Sequence, residues 1–287
     1  MNEPTSERSV SIQGLLVPRF FYGTAWKENQ TQRLTEFALK QGFRGIDTAN
    51  QRRHYDEAAV GQAIATMIGN GVVGRDEVFL QTKFTFRSGQ DNRQPYDPRA
   101  PIAIQVEQSF FGSLQHFGTG VLDSYLLHGP TRRAGRSRAD WEAWHAMEAI
   151  HDSGRVRMFG ISNVTLEQVQ RLYQEARVKP QFVQNRCYAA EGWDRKVRTF
   201  CATNGLLYQG FSLLTANREV LASPNLERIA KHHCRTVSQI VFRFALDVNM
   251  IPLTGTTDGA HMKADLDIFD FSLEPDDVQQ IENLAAE

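Results

Sequence analysis

Val78-Phe79-Leu80-Gln81-Thr82-Lys83 is a strand-like run that ends in an ammonium group. Two other runs also end on a titratable side chain: Phe43-Arg44-Gly45-Ile46 leads to Asp47, and Ser124-Tyr125-Leu126-Leu127 leads to His128. Tyr55 lies in the segment after the Asp47 strand. Helical periodicity fills the intervals. Leu34, Phe37, Ala38 and Gln41 share a face over residues 31–40, with Gly42 as a C-cap, and Val60, Ile64 and Ile68 share one over 56–68. Strands that alternate with helices and carry polar groups at their C-terminal ends predict an α/β chain of the (β/α)8 TIM-barrel class, with its chemistry at that end.

The same rhythm continues in both directions. Phe20-Phe21-Tyr22-Gly23-Thr24 precedes the Asp47 strand, and residues 156–161, 182–187, 206–211 and 251–254 bring the strand count to eight. Helices are expected over 102–117, 141–152, 166–175, 194–203, 225–233, 237–246, 260–266 and 275–284. Residues 87–101, with Gly, Asn, Asp and three Pro, form a loop over the barrel mouth. Residues 10–17 suggest a hairpin closing the barrel bottom. The expected organisation is one domain over 1–287, with a tail and hairpin over 1–18. No Gly-x-Gly-x-x-Gly follows a strand, which argues against an open dinucleotide-binding sheet.

Bulk properties exclude several classes of function. The 287 residues carry a formal net charge of −1, with 41% hydrophobic and 23% charged residues. That balance gives no general attraction to nucleic acid or to an anionic membrane. No apolar run approaches the roughly 20 residues that span a bilayer, and residues 1–8 have no signal-peptide core. Cys187, Cys201 and Cys234 lack metal or redox spacing, so reduced thiols and a cytoplasmic location are expected. A monomer or weak homo-oligomer is the expected assembly.

Each candidate side chain also has an ordinary reading. Lys83 is either a surface lysine on its stem or a buried ammonium, and a buried one needs a carboxylate, for which Asp47 is the neighbour. Asp47 alone would suit a helix N-cap. Tyr55 either packs at a helix start or, beside Lys83, becomes a general acid with a lowered pKa. His128 is either a satisfied strand-end histidine or a donor that orients a carbonyl. Their joint placement favours proton transfer onto a carbonyl.

Gly42-Phe43-Arg44-Gly45-Ile46-Asp47-Thr48-Ala49, with Glu57, Val60 and Gly61 downstream, resembles the first signature of the aldo-keto reductases. Phe79 to Lys83, Leu126-Leu127-His128-Gly129-Pro130 and Gly154 to Asn163 match further segments in order, so the resemblance spans nearly the whole chain. It implies a catalytic set of Asp47, Tyr55, Lys83 and His128, with Tyr55 as proton donor and His128 positioning the carbonyl. It implies a bound nicotinamide cofactor, NADPH with NADH as the alternative, near Gly23, Thr24 and Asp47. Ser162, Asn163 and Gln184 would hold the carboxamide, and Phe211 would stack on the ring unless it is simply a core aromatic. Ser212, Leu213 and Thr215 would cover the pyrophosphate, and Gly255, Thr256, Thr257, His261 and Asp265 would lie at the adenosine end. There, the threonine hydroxyls, the Lys263 ammonium and backbone N–H groups at the helix start would hold a phosphate.

The chain departs from the pattern at one decisive point. The family usually places its tyrosine five residues after the aspartate; here that position is Arg52, and Tyr55 comes eight residues after. An insertion within Asn50-Gln51-Arg52-Arg53-His54 would restore the geometry, and His54 is the alternative donor. Trp26, Phe84, Tyr96 and Trp193 are the expected walls for a small-molecule carbonyl substrate. Arg132, Arg133, Arg136 and Arg138 either attract an acidic substrate or form a solvated surface. The short segment after the last helix suggests an open pocket. Two functions compete: a carbonyl reductase, and a catalytically silent nucleotide-binding regulatory or redox-sensing subunit. A metal-dependent hydrolase fits poorly, because no His-x-His or carboxylate cluster ends the strands.

Overall fold

The computed structural model describes residues 7–284; the start of the tail (1–6) and the chain end (285–287), on which the open-pocket expectation rests, lie outside the described residues. The elements in chain order are β1 (Ser9–Ile12), β2 (Leu15–Pro18), β3 (Phe21–Gly23), α1 (Thr31–Gln41), β4 (Gly45–Asp47), α2 (Glu57–Gly69), β5 (Phe79–Phe84), α3 (Ile102–Phe117), β6 (Leu122–Leu127), α4 (Arg138–Asp152) and β7 (Val156–Ser162). There follow α5 (Leu166–Glu175), β8 (Phe182–Arg186), α6 (Arg195–Thr203), β9 (Leu207–Phe211), α7 (Arg218–Leu221), α8 (Pro224–His232), α9 (Val237–Asp247), β10 (Met250–Thr254), α10 (Gly259–Leu266) and α11 (Pro275–Asn283). β1 and β2 form an antiparallel hairpin. The other eight strands form a closed barrel in the order β10-β3-β4-β5-β6-β7-β8-β9, the (β/α)8 fold.

By contact density the chain divides into two compact units, residues 22–184 and residues 1–21 with 185–287. In the first, the register pairs Asp47 with Gln81, Lys83 with Leu126, and Ser162 with Gln184. Side chains alternate along a strand, so Gln81 and Lys83 leave one face of β5 and Thr82 the other. α1 buries Leu34, Ala38 and Leu39 and ends at Gly42, whose φ of 113° would strain any residue with a Cβ. α2 starts at Asp56, whose carboxylate accepts from the Ala59 N–H at 3.2 Å, a cap worth about 1 kcal/mol. A Cβ on Gly61 would sit 1.8 Å from the His116 carbonyl oxygen, so α2 and α3 approach closely only because this residue is glycine.

In the second unit β9 and β10 pair from Tyr208–Met250 to Gly210–Pro252. Trp193 is fully buried; its indole N–H donates to the Ile281 carbonyl at 2.9 Å, and its ring lies 5.3 Å from Phe244. The four-residue α7 has no counterpart in the sequence reading, since one turn is too short to carry a periodicity. α9 opens with a reciprocal cap between Thr236 and Gln239, and Pro224 stands in the first turn of α8.

Candidate active site

Asp47, at the end of β4, and Lys83, on β5, form a buried ion pair. The Lys83 ammonium donates to Asp47 Oδ1 and Oδ2 at 2.7 and 2.6 Å and to the Thr48 carbonyl at 2.8 Å. Asp47 Oδ1 also accepts from the side-chain amides of Gln81 and Gln184, at 2.7 and 3.0 Å. Burial pushes the lysine pKa down, and Asp47 pulls against that shift. Thr24 ties the end of β3 to the same place, with both its N–H and its hydroxyl donating to the Asp47 carbonyl.

The extra residues ahead of Tyr55 fold into a turn. The N–H groups of His54 and Tyr55 both donate to the Gln51 carbonyl, at 3.3 and 3.0 Å. The Gln51 amide is anchored on the Gly89 carbonyl at 2.7 Å, and the Asn50 amide on the Ser109 carbonyl at 3.0 Å. The turn brings the Tyr55 ring edge-on to His128, with centroids 5.9 Å apart, and sets the Lys83 nitrogen 5.5 Å from the centre of the Tyr55 ring. His54 turns aside and stacks on Trp26 at 3.8 Å, while the Trp26 backbone N–H donates to the His54 carbonyl at 2.7 Å.

The electrostatics correct one expectation. The sequence reading has Lys83 acidify Tyr55, but the Tyr55 pKa is raised, first by burial and then by the Asp47 carboxylate. Burial disfavours the charged phenolate, and the cation meant to stabilise it is already compensated by Asp47. The phenol is therefore held firmly protonated. His128 is held neutral, its pKa lowered to about 3 by burial, then by Lys83 and His54. The His128 backbone N–H donates to the Phe84 carbonyl at 2.9 Å, and its ring Nδ1 lies 2.6 Å from the Thr85 hydroxyl.

At the carboxamide positions, Ser162 is buried on the end of β7, and Asn163 follows with a left-handed φ of 57°. The Asn163 amide nitrogen donates to the His128 carbonyl at 2.8 Å and to the Ser162 hydroxyl at 3.1 Å. Gln184 sits on β8 and reaches Asp47. Gly23 ends β3.

The remaining nucleotide positions belong to the other unit. Phe211 is half-buried at the end of β9, so it is not a core aromatic. Ser212 takes a left-handed φ of 59° and its carbonyl accepts from the Ala216 N–H across Leu213 and Thr215. Asp265 is buried, accepts from the Thr254 hydroxyl at 2.8 Å, and has a pKa raised to about 6 by burial. Gly255, Thr256, Thr257 and His261 lie on the turn into α10 and at its start. The helix-start N–H groups expected to hold a phosphate are already engaged: Asp258 accepts from those of Ala260 and His261, at 2.7 and 3.1 Å.

Three of the four expected substrate walls are placed differently. Trp26 is 69% exposed. Trp193 belongs to the core around Ile281 and Phe244, because its indole N–H has a buried carbonyl partner there. Phe84 and Tyr96 pack on each other at 5.6 Å, both buried, and the Tyr96 hydroxyl donates to the Thr85 carbonyl at 2.7 Å. In the arginine loop, Arg136 lies over the Trp141 ring and Arg138 pairs with Glu142. The sequence reading misses Thr85; its signal is the period-two spacing from Lys83, which places both on one face.

Among the described residues no helix is long and apolar enough to cross a membrane, and no group of His, Cys, Asp and Glu could hold a metal ion. The family model for the aldo/keto reductases matches residues 20–286. An uncharacterised oxidoreductase of Schizosaccharomyces pombe is 31% identical, over 96% of this chain and 91% of its own length. Prostaglandin F synthase 1 of Bos taurus is 25% identical, over 98% and 92%. The crystal structure of an aldo/keto reductase from Brucella melitensis superposes with a TM-score of 0.80 at 28% identity, covering 96% of this chain and 97% of that one. A Bombyx mori aldo-keto reductase solved in complex with NADP superposes equally well at 25% identity, over 96% and 93%. Sequence, barrel and strand-end residues agree, and the chain belongs to the aldo/keto reductase family.

Proposed function

We propose that this protein reduces an aldehyde or ketone to an alcohol, using a nicotinamide cofactor and Tyr55 as the general acid. The observation that carries the proposal is the convergence of the Tyr55 phenol, the His128 imidazole and a buried lysine–carboxylate pair in one place. The cofactor fits the donors present. A carboxamide offers one acceptor and one N–H donor group, and Ser162, Asn163 and Gln184 provide hydroxyl and amide partners of both kinds. The reduced nicotinamide, when bound, supplies the hydride that enters the carbonyl carbon.

The chain's own residues manage the oxygen. Neutral His128 donates a hydrogen bond to the carbonyl and polarises it. As negative charge builds on that oxygen, the Tyr55 hydroxyl gives up its proton. An alkoxide is a stronger base than a phenolate, so even a phenol with a raised pKa is acid enough. Solvent then restores the proton of the phenol, and the reverse sequence oxidises an alcohol. A displaced tyrosine is the motive for the silent nucleotide-binding reading; the turn at residues 51–54, with the Tyr55 ring near His128 and Lys83, favours the reductase reading over it.

Tyr55→Phe removes one hydroxyl and keeps the ring. Turnover of NADPH with a panel of reactive aldehydes, followed by absorbance of the reduced cofactor, should fall by about 10²–10⁴-fold, the usual weight of a general acid. Cofactor affinity, followed by protein fluorescence, should change little. Turnover within a few-fold of the parent protein would refute Tyr55 as the acid.

A further inference from the structure

Thr85 stands two residues beyond Lys83 and is 6% exposed. Its hydroxyl oxygen lies 2.6 Å from His128 Nδ1. Among the described residues that nitrogen is the only hydrogen-bond partner of the Thr85 hydroxyl. The threonine cannot readily turn away. Its carbonyl accepts from the Tyr96 hydroxyl at 2.7 Å and from the Gln90 amide at 3.3 Å. The same Gln90 amide donates to the Asn50 carbonyl at 3.0 Å. Its methyl packs so closely on Gly89 that a Cβ there would lie 2.7 Å away.

A neutral imidazole has one protonated nitrogen and one accepting nitrogen, and the bond made by one decides the role of the other. If Nδ1 carried the proton and donated to Thr85, the buried hydroxyl proton would have no acceptor among these residues. Leaving such a donor unmet is costly. If the hydroxyl donates to Nδ1, both groups are satisfied. We infer that Thr85 is a positioning residue that donates to His128 Nδ1 and thereby places the imidazole proton on Nε2, ready for a substrate carbonyl. This deepens the carbonyl-reductase reading, on which its functional meaning rests. The burial that keeps His128 neutral makes the tautomer matter, because an imidazolium would carry both protons regardless. Lys83 and His54 are the charged groups that act on that ring, and the titratable Tyr55 lies edge-on to it.

The test uses full-length protein labelled with ¹⁵N at histidine, in long-range proton–nitrogen correlation spectra, with His128 assigned by the loss of its signals in His128→Gln. The expected result near pH 7 is an accepting, pyridine-type Nδ1 and a protonated Nε2. Thr85→Val should populate the other tautomer, and Thr85→Ser should restore the original. Turnover should follow: kcat on the order of tenfold lower for valine, the scale of one hydrogen bond, and recovered for serine. Cofactor affinity should be unchanged in both. A protonated Nδ1 in the parent protein overturns the inference even if Thr85→Val does not fold. An unchanged tautomer in folded Thr85→Val overturns it too. A parent protein without turnover on any carbonyl would sink the reductase reading while leaving the tautomer result to stand or fall by itself.

Discussion

Asp47 and Glu57 are both buried carboxylates, and β5 lies between the two roles they play. From one face of the strand, Gln81 and Lys83 donate to Asp47. From the other, Thr82 donates to Glu57, which also accepts from the Ser113 hydroxyl at 3.0 Å and His116 Nδ1 at 2.6 Å. Each acid has three or more donors, so neither is a bare buried charge. They differ in the cation. Lys83 is sealed in with Asp47, at 1% side-chain exposure, whereas His116 is 34% exposed at the rim of its pair. A sealed pair holds charge at a fixed place for chemistry; a pair open on one side binds α2 and α3 to the strand and senses solvent pH.

The sharpest way to break the first pair is Lys83→Met. Asp47 then keeps its two amide donors but loses its only cation among the described residues, and removing one partner of a buried ion pair costs about 3–5 kcal/mol. Chemical denaturation should show a loss near the lower end of that range, because Gln81 and Gln184 still donate. Turnover should vanish with it. The double change Lys83→Met with Asp47→Asn removes the orphaned charge, so it should recover most of the stability and none of the activity. Equal stability of the single and double variants would show that Asp47 does not need Lys83.

The second pair gives a smaller and pH-dependent effect. The Glu57 carboxylate raises the His116 pKa, with burial opposing it. A raised folded-state value means that the pair contributes fully below the unfolded histidine pKa of about 6.5, and that the contribution fades as pH rises through the folded value. His116→Asn keeps a donor but cannot titrate. The Tm of the parent protein should exceed that of the variant by roughly 2 °C at about pH 6, the scale of a partly exposed pair. The gap should narrow steadily toward about pH 9. A gap that is flat or that widens with pH would mean that His116 is neutral in its pair.

The strand ends are legible because a barrel fixes where side chains point. Asp47, Lys83 and His128 each close a run whose alternation and length are visible in the sequence, and periodicity places α3 at its observed bounds, Ile102–Phe117. Tyr55 is harder to place. Nothing in Asn50-Gln51-Arg52-Arg53-His54 announces that the Gln51 carbonyl will close a turn, since that depends on anchors at Gly89 and Ser109, far along the chain. The aromatic walls fail for a related reason. Phe84, Tyr96 and Trp193 have the composition of a pocket, but burial against distant partners decides whether a ring faces a ligand or the core. The direction of the Tyr55 shift escapes the sequence because its main cause, burial, is set by tertiary packing, and because proximity to a cation says nothing about whether that cation is already paired.

Asp258 extends the comparison to an exposed carboxylate, where the effect should be smallest. Among the described residues it is in no salt bridge; it accepts from two backbone N–H groups at the start of α10, and those bonds, His261 first, hold its pKa below the usual range. If the nucleotide phosphate sits at the start of α10, an ionised carboxylate on those donors would repel it as well as occupy its partners. NADPH and NADH differ by one phosphate, so the parent protein should bind NADH about as tightly as NADPH. Asp258→Asn keeps an oxygen to cap the helix and removes the charge. Fluorescence titration should then show the affinity ratio moving toward NADPH by about two- to fivefold, the scale of one exposed charge. The change should also shrink in high salt, because exposed charges are screened while the sealed Asp47–Lys83 pair is not. A ratio that stays put would place the phosphate away from α10.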